Sequence, residues 1–125
     1  MYNKIVDIYY TLYRFVANIP YYLRHVKWSY QRVRYGFSDK DLWSFDHYLS
    51  NVIVRGLTRL KSLQHGYPTS CKSECEWYDI MEDIIYTFEI NKQIVDNLDI
   101  PSDIDKERYE RGWKLFREYY NNLWD

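Results

Sequence analysis

The chain has few of the residues from which turns and disulfide frameworks are made. Its 125 residues include four glycines, three prolines and two cysteines. So few turn-forming residues over this length favour a small number of long elements, and therefore helices. No apolar run approaches the roughly 18 residues of a membrane-spanning helix, and no cleavage site follows a hydrophobic core near the N-terminus. We expect one soluble, intracellular domain without stable membrane insertion.

The cysteines do not suggest a metal site. Cys71 and Cys75 stand four residues apart, and no second pair of cysteines or histidines follows in metal-ligand spacing. Two thiols without such a partner pair are typical of a protein in a reducing compartment. We therefore predict free thiols, no metal and no cofactor.

Sequence motifs of catalysis are also missing. The three histidines have no nucleophile in a recognisable order, and the chain has no phosphate-cradling glycine loop, Gly-x-Ser-x-Gly or His-Glu-x-x-His sequence. We predict no catalytic residues and a protein that is not an enzyme. A metal-dependent nucleotide hydrolase is a less favoured alternative, because it would need carboxylates from two facing helices, with Glu82 opposite Asp46.

What the chain does contain is aromatic side chains and a long helical pattern. Aromatics make up 20% of the residues, and tyrosine alone supplies 15. In residues 37–68, Ser38 can cap a helix start, and Gly66 with Pro68 can end it. Between them, small and apolar residues recur at helical spacing: Leu42, Phe45, Leu49, Val52, Ile53, Gly56, Leu57, Leu60 and Leu63. This pattern predicts a long central helix on which other helices pack.

Two amphipathic helices are predicted before this segment. Residues 3–18 place aliphatic side chains near one face, and tyrosines widen that face beyond what the core of a monomer needs. Pro20 breaks the pattern or starts a new helix. Residues 21–35 continue it, with four side chains predicted to point inward: Tyr22, Val26, Tyr30 and Val33.

Two more helices are predicted after it. The capping box of Ser73 and Glu76 opens a helix with a strict three-four apolar alternation and an acidic outer face. Residues 91–101 are predicted as a looser helical end and loop, and Ser102 with Asp103 offers the start of the last helix. We therefore predict an all-α fold, a single-domain bundle of four to five helices around the long central one.

Charge is distributed unevenly between the two ends of the chain. Residues 1–36 hold six basic side chains and one acidic, whereas residues 37–125, the predicted bundle core, hold 11 basic and 17 acidic. The basic region could pack on the acidic remainder or on a neighbouring subunit, bind an anion or a nucleic acid, or face solvent. A membrane surface is less favoured, because the apolar face is modest and interrupted.

Basic and aromatic side chains alternate within this N-terminal region. Four polar residues at spacings of three and four form one stripe on a helix: Arg24, Lys27, Gln31 and Arg34. Interfaces between proteins are enriched in tyrosine, tryptophan and arginine. We predict an interface here, either for a homo-oligomer or for a partner, formed by Tyr9, Tyr13, Tyr22, Arg24, Lys27, Trp28 and Arg34.

A candidate anion site lies on the predicted central helix. Arg55 and Arg59 stand four residues apart, so they share a helix face and could hold phosphate or carboxylate groups. The alternative is that these arginines pair with the acidic helix after them. The predicted ligand-binding residues are Arg55, Arg59, Tyr67, Trp43, Lys61 and His65, with Tyr67 or Trp43 stacking on a base.

The chain resembles a family of small uncharacterised proteins of tailed bacteriophages. The resemblance covers residues from about 28 to 125, and residues 1–27 depart from the pattern in their tyrosine content. It lies in residues 34–46 (RYGFSDKDLWSFD), in 57–61 (LTRLK), in Gly66-Tyr67-Pro68 and Glu76-Trp77, in the run from 84 to 88, and in Gly112, Leu115-Phe116 and Leu123-Trp124-Asp125. The resemblance implies the cytoplasm of an infected bacterium, where many small phage proteins bind host factors or sequester nucleotide signals.

Together these observations favour a phage accessory protein that counters host defence by binding. The leading hypothesis is a sponge that sequesters an anionic nucleotide immune signal at the arginine pair. The alternative is an inhibitor of a host protein, or a virion component, that uses the aromatic N-terminal surface.

Overall fold

The computed structural model of the chain describes residues 2–63 and 66–124, with side chains from residue 4 onward. Helices make up 80% of the model and it has no strand within those residues, which confirms the all-α prediction. Five α-helices are present in the described part of the chain: α1 (Tyr2–Ala17), α2 (Ile19–Tyr35), α3 (Phe45–Leu63), α4 (Glu74–Asn97) and α5 (Lys106–Tyr119). Two short 3-10 turns, Asp41–Ser44 and Tyr120–Asn122, precede α3 and follow α5.

The chain divides into two compact units. The N-terminal unit is Met1–Trp43 and contains α1 and α2. The C-terminal unit is Ser44–Asp125 and contains α3, α4 and α5.

The centre of the C-terminal unit is α4. This helix packs against α3 on one side and α5 on the other, and its Trp77, Met81 and Ile84 are fully buried. The apolar pattern of residues 37–68 predicted the centre there, but α3 turns part of its apolar face away from α4. The full core consists of Val54, Leu57, Cys71, Trp77, Ile80, Met81, Ile84, Phe88 and Tyr119.

Both neighbours of α4 run antiparallel to it. On the α3 side, Lys61 pairs with Glu82 near one end, and His47 Nε2 lies 3.2 Å from Asp96 Oδ1 near the other. On the α5 side, the Trp77 ring lies 5.5 Å from that of Tyr119, whereas the α5 start lies near the C-terminal half of α4.

Aspartate 83 joins α5 to α4 by accepting two arginine hydrogen bonds. Arg108 Nε donates to Oδ1 at 2.8 Å and Arg111 Nε donates to Oδ2 at 2.9 Å. Burial raises the pKa of Asp83, but the hydrogen bonds from Arg111 and Arg108 outweigh it and hold the pKa below its usual value. The carboxylate is therefore ionised at neutral pH, and its hydrogen bonds fix the position of α5 along α4.

Helix starts follow local capping chemistry. The capping box predicted for α4 is confirmed, because Ser73 Oγ accepts from the Glu76 amide at 3.2 Å. The start of α5 lies at Asp105, three residues after the predicted Ser102, because Asp105 Oδ1 accepts from the Arg108 amide at 3.1 Å. The helical end and loop predicted for residues 91–101 agree with the structure, in which α4 continues to Asn97 and a loop follows.

The central-helix segment begins later than predicted. The α-helix α3 starts at Phe45, and Ser38 instead caps the turn that leads into the 3-10 turn Asp41–Ser44. Gly56 lies inside α3 and does not interrupt it. The segment 37–68 is thus a capped turn followed by a helix of 19 residues.

In the N-terminal unit, α1 passes into α2 with little interruption. The Asn18 amide donates to the Arg14 carbonyl at 3.0 Å, and the Tyr22 amide donates to the Asn18 carbonyl at 3.0 Å. Pro20 occupies the first turn of α2, where its missing N–H costs nothing. The side chains predicted to point inward on α2 are exposed instead, from Tyr22 at 47% to Val33 at 89%.

Candidate protein-binding surface

The end of α2 folds back into a short, tightly bonded loop, residues 36–43. Gly36 ends the helix with φ 85°, a left-handed conformation that glycine adopts without steric cost. Its amide donates to the Arg32 carbonyl at 2.9 Å. The chain therefore reverses direction directly after Tyr35.

A reciprocal capping box holds the loop. The Ser38 amide and Oγ both donate to Asp41 Oδ2, at 2.8 and 2.9 Å, and the Asp41 amide donates back to Ser38 Oγ at 3.3 Å. Both residues are buried. The box thus satisfies the polar groups that the turn removes from water.

Arg32 ties this box to α2. Its Nε donates to Asp41 Oδ2 at 2.9 Å, and its Nη2 also donates to Oδ1, so the guanidinium binds the carboxylate in a bidentate fashion. The Arg32 hydrogen bond lowers the pKa of Asp41 well below its usual range, more than burial raises it, and the Ser38 donors lower it further. We call Arg32, Ser38 and Asp41 the clip.

A second pair of contacts lies beside the clip. Gln31 Nε2 donates to Asp39 Oδ2 at 2.8 Å, and the Asp39 amide donates to Gln31 Oε1 at 2.9 Å. Lys27 Nζ lies 3.9 Å from the same carboxylate oxygen. Two of the four residues of the predicted basic stripe therefore help to hold the loop.

Loss of the Asp41 charge should open the loop. Because the pKa of Asp41 is lower in the folded than in the unfolded state, the clip is at full strength above about pH 4 and weakens as the pH falls below it. We expect hydrogen exchange at the Ser38 amide, corrected for its intrinsic rate, to accelerate below pH 4. In Asp41→Asn it should be about tenfold faster at pH 7, since charged hydrogen bonds are lost. Equal protection in wild type and variant would contradict the clip.

A row of aromatic rings runs along α2 and onto the loop. The ring centroids of Tyr21 and His25 lie 4.2 Å apart, those of His25 and Trp28 5.2 Å, and those of Trp28 and Trp43 6.5 Å. Lys40 Nζ lies 5.1 Å from the Trp28 ring, on its face. We call Tyr21, His25, Trp28 and Trp43 the aromatic row.

Beside the aromatic row, α2 presents cations and an uncovered apolar face. Arg24 and Arg34 are exposed, and the Arg34 guanidinium lies 5.9 Å from the Tyr35 ring. The uncovered side chains of α2 are Tyr22, Leu23, Val26, Tyr30 and Val33, which we call the apolar row. Of the predicted interface residues, Tyr9 and Tyr13 on α1 are also exposed.

The predicted ligand residues lie on several elements of the chain. Arg55 and Arg59 line a shallow depression of about 340 Å³ on α3, together with Val54, Thr58 and Ser62. Lys61 is engaged with Glu82. Tyr67 is half-exposed in the loop after α3, and Trp43 belongs to the N-terminal unit. His65 lies outside the described residues.

The alternative interpretation of the arginine pair is not supported. Within the described part of the chain, no ion pair involves Arg55 or Arg59. Six of the seven α4 carboxylates have other partners: Glu74 accepts from Tyr78, Glu76 from the Lys72 amide, Glu82 pairs with Lys61, Asp83 accepts from Arg108 and Arg111, and Glu89 and Asp96 lie near Lys92 and His47.

Asp46 and Glu82, which the predicted hydrolase alternative requires to face each other, lie at different levels of the α3–α4 pair. Asp46 lies at the start of α3, whereas Glu82 lies opposite Lys61 near the end of that helix. Fourteen or more helical residues separate the two levels, roughly 20 Å along the axis. Among the described residues, no group of three histidines, cysteines or carboxylates could hold a metal ion.

Comparison with known proteins yields no relative. No family model, no curated protein and no solved structure matches the chain. No helix within residues 2–63 and 66–124 is both long and apolar enough to cross a membrane.

Sequence reasoning missed the clip, although part of its signal was visible. Ser38 and Asp41 have the spacing of a capping box, and Gly36 is a typical helix end. The sequence analysis used Ser38 and Asp41 only for the start of a long helix. Arg32 carried no local signal, because its partner lies nine residues further on.

Proposed function

We propose that the chain is a non-enzymatic binding protein that attaches to an acidic protein partner through α2 and residues 36–43. The observation that carries this proposal is the apolar row of α2, which is uncovered and lies on a helix that also exposes Arg24 and Arg34. Exposed apolar side chains that form a continuous face are typical of an interaction site rather than of an ordinary surface.

The composition and rigidity of this surface support the proposal. Tyrosine, tryptophan and arginine carry much of the binding energy in protein interfaces. Because the clip already orders residues 36–43 and places Trp43 against Trp28, these groups lose little conformational entropy on binding. The excess of cations in residues 1–36 favours a partner with exposed carboxylates, which it would attract before contact.

We further propose that this binding counters host defence in the cytoplasm of an infected bacterium. The support is the resemblance of residues 28–125 to small tailed-phage proteins. A protein without catalytic groups would act there by blocking a host protein or by joining the virion, and both roles use a surface of this kind.

The proposal is tested in two steps with the full chain. Immobilised protein is exposed to a bacterial extract, and a selectively retained protein is identified and purified for titration. We expect Val26→Asp to weaken its binding by about tenfold or more, because a charge then replaces a buried apolar contact. Arg24→Glu should slow association and reduce its dependence on salt.

Two matched controls carry the same chemical changes elsewhere. Leu98→Asp alters an exposed apolar side chain of the C-terminal unit, and Arg117→Glu reverses an exposed charge on α5. Both should bind like the wild type. Equal binding by Val26→Asp and wild type would rule out α2 as the binding surface, and failure to retain any protein selectively would count against the function itself.

A second candidate is the sequestration of a nucleotide at Arg55 and Arg59. The observation that favours it is that these arginines share one exposed face of α3 with Ser62 and have no ion pair in the described part of the chain. Calorimetry with cyclic and linear nucleotides, with and without magnesium, tests it. Binding that Arg59→Ala abolishes, with the nucleotide recovered unchanged, would support a sponge; turnover would instead indicate a hydrolase.

A further inference from the structure

The C-terminal unit contains an apolar groove. It runs over α4 between α3 and α5, has a volume of about 940 Å³, and is walled by Leu49, Ile53 and Leu60 on one side and by Trp113 and Phe116 on the other. Leu49 and Trp113 are 43% and 41% exposed. Helices α3, α4 and α5 thus form a layer, and the apolar face of this layer that lines the groove is uncovered.

A glycine in the groove wall indicates what kind of molecule covers it. Glycine inside a helix costs about 1 kcal/mol relative to alanine, and a close approach of another backbone is one reason to keep it. Gly112 on α5 has such a reason, because a Cβ there would lie 2.5 Å from the Asp83 carbonyl oxygen of α4. Gly56 on α3 lines the groove, and a Cβ there would meet nothing within 4 Å.

We propose that α1 of a second copy of this chain occupies the groove, with its backbone close to Gly56. The dimensions agree: α1 has 16 residues and α3 has 19, which correspond to about 24 and 28 Å of helix. The spacing agrees too, because Ile5, Ile8, Leu12 and Phe15 recur every three or four residues, as in helices that pack as ridges into grooves. All four are exposed.

Charge favours this pairing over a pairing between two N-terminal units, although α1 itself carries only Lys4 and Arg14 against Asp7. Residues 1–36 carry six basic side chains and one acidic, so two copies of α1 and α2 side by side would repel. The C-terminal unit carries ten basic and 15 acidic residues, and Asp46 lies in the groove wall. Among the described residues the groove is lined by one carboxylate, Asp46, and by no cation. This lining disfavours a fatty acid, whose carboxylate would need a cation.

The resulting assembly is a reciprocal dimer. Each chain gives its α1 to the groove of its partner, so the same contact forms twice around a two-fold axis. The inference goes beyond the proposed function, because α2 and its apolar row take no part in it. The two can therefore fail independently: the dimer test below requires no partner protein.

The first test compares the mass of the full chain and four variants by sedimentation equilibrium. We expect the wild type to have twice the mass of the 15.6 kDa chain. Leu12→Asp on the apolar side of α1 and Gly56→Leu in the groove should each weaken the dimer by about tenfold or more. The controls introduce the same side chains elsewhere, Thr11→Asp on the polar side of α1 and Ser62→Leu on the other side of α3. Both should remain dimeric.

The second test mixes the two defective variants. Leu12→Asp retains an intact groove and Gly56→Leu retains an intact α1, so one of the two contacts can form in a mixed dimer. We expect the mixture to associate more tightly than either variant alone and more weakly than wild type. Circular dichroism of each variant verifies that its helices are intact.

Four outcomes would overturn the inference. A monomeric wild type at high micromolar concentration would remove the second copy. A dimer that survives both Leu12→Asp and Gly56→Leu would place the contact elsewhere. A mixture that fails to associate although its components are folded would mean that α1 and the groove do not contact each other. Binding of α1 to lipid vesicles by a chain that stays monomeric would mean the same.

Discussion

Replacing Trp77 by alanine should lower the free energy of unfolding of the C-terminal unit by about 4 kcal/mol. Trp77 has no exposed surface, lies on the central helix α4, and its ring packs 5.5 Å from that of Tyr119 on α5. Its removal leaves a cavity between two helices, and rigid helices do not collapse to fill it. Urea denaturation followed by circular dichroism at 222 nm measures the loss without relying on tryptophan fluorescence.

The phenylalanine variant at the same position is a sharper test of the local chemistry. The buried Nε1–H of Trp77 has no hydrogen-bond partner among the described residues, and an unsatisfied buried donor costs about 1–3 kcal/mol. Trp77→Phe removes that unsatisfied donor, which stabilises the protein, and it also removes part of the buried ring, which destabilises it. We expect a loss of less than about 2 kcal/mol. A loss as large as that of Trp77→Ala would indicate that the indole N–H is bonded, for instance by water.

The sequence was sufficient to predict the helices and the apolar face of α4. The three-four alternation that includes Trp77, Ile84 and Phe88 identified α4, and the capping box at Ser73 identified where it begins. Such signals are local, because caps and periodicity depend on residues within one or two turns.

Which helix lies at the centre could not be predicted in the same way. Residues 37–68 have the longest apolar stripe, yet Leu49 and Val52 on α3 are half-exposed, whereas α4 is buried against helices on two sides. Periodicity shows that a face is apolar, but it does not show what covers that face. Four of the five side chains of the apolar row of α2, all except Leu23, were predicted to point inward for the same reason, and they are exposed.

The sequence-based site predictions were wrong, or had to be changed, where they depended on contacts between residues far apart in the sequence. Asp46 and Glu82 looked like a possible pair of carboxylates, but the antiparallel order of α3 and α4 separates them. Lys61 on α3 pairs with Glu82 on α4, while Arg55 and Arg59 point to another face of α3. Of the interface residues predicted on α2, Trp28 is half-buried, whereas the others, Tyr22, Arg24, Lys27 and Arg34, are exposed. All five lie on one helix, whose geometry the sequence does determine.

Replacing Gly112 by alanine should destabilise the C-terminal unit by about 3 kcal/mol or more, although alanine is the better helix former. A Cβ at this position would overlap Thr87 Oγ1 and would lie 2.5 Å from the Asp83 carbonyl oxygen and 2.7 Å from Thr87 Cβ. The threonine side chain could rotate, but the carbonyl belongs to the α4 backbone. The two helices must therefore separate, which strains the hydrogen bond from Thr87 Oγ1 to the Tyr109 carbonyl and the arginine contacts of Asp83.

Gly56→Ala is the matched control, because it makes the same change inside a helix where nothing lies within 4 Å. Measured by urea denaturation in the Leu12→Asp background, in which the groove is uncovered, it should raise the free energy of unfolding by about 0.5–1 kcal/mol. Thr87→Ala combined with Gly112→Ala should recover only part of the loss, since the carbonyl contact remains. If Gly112→Ala proved as stable as wild type, α4 and α5 could not approach each other as closely as this packing requires, and the comparison that assigns a helix to the groove at Gly56 would lose its basis.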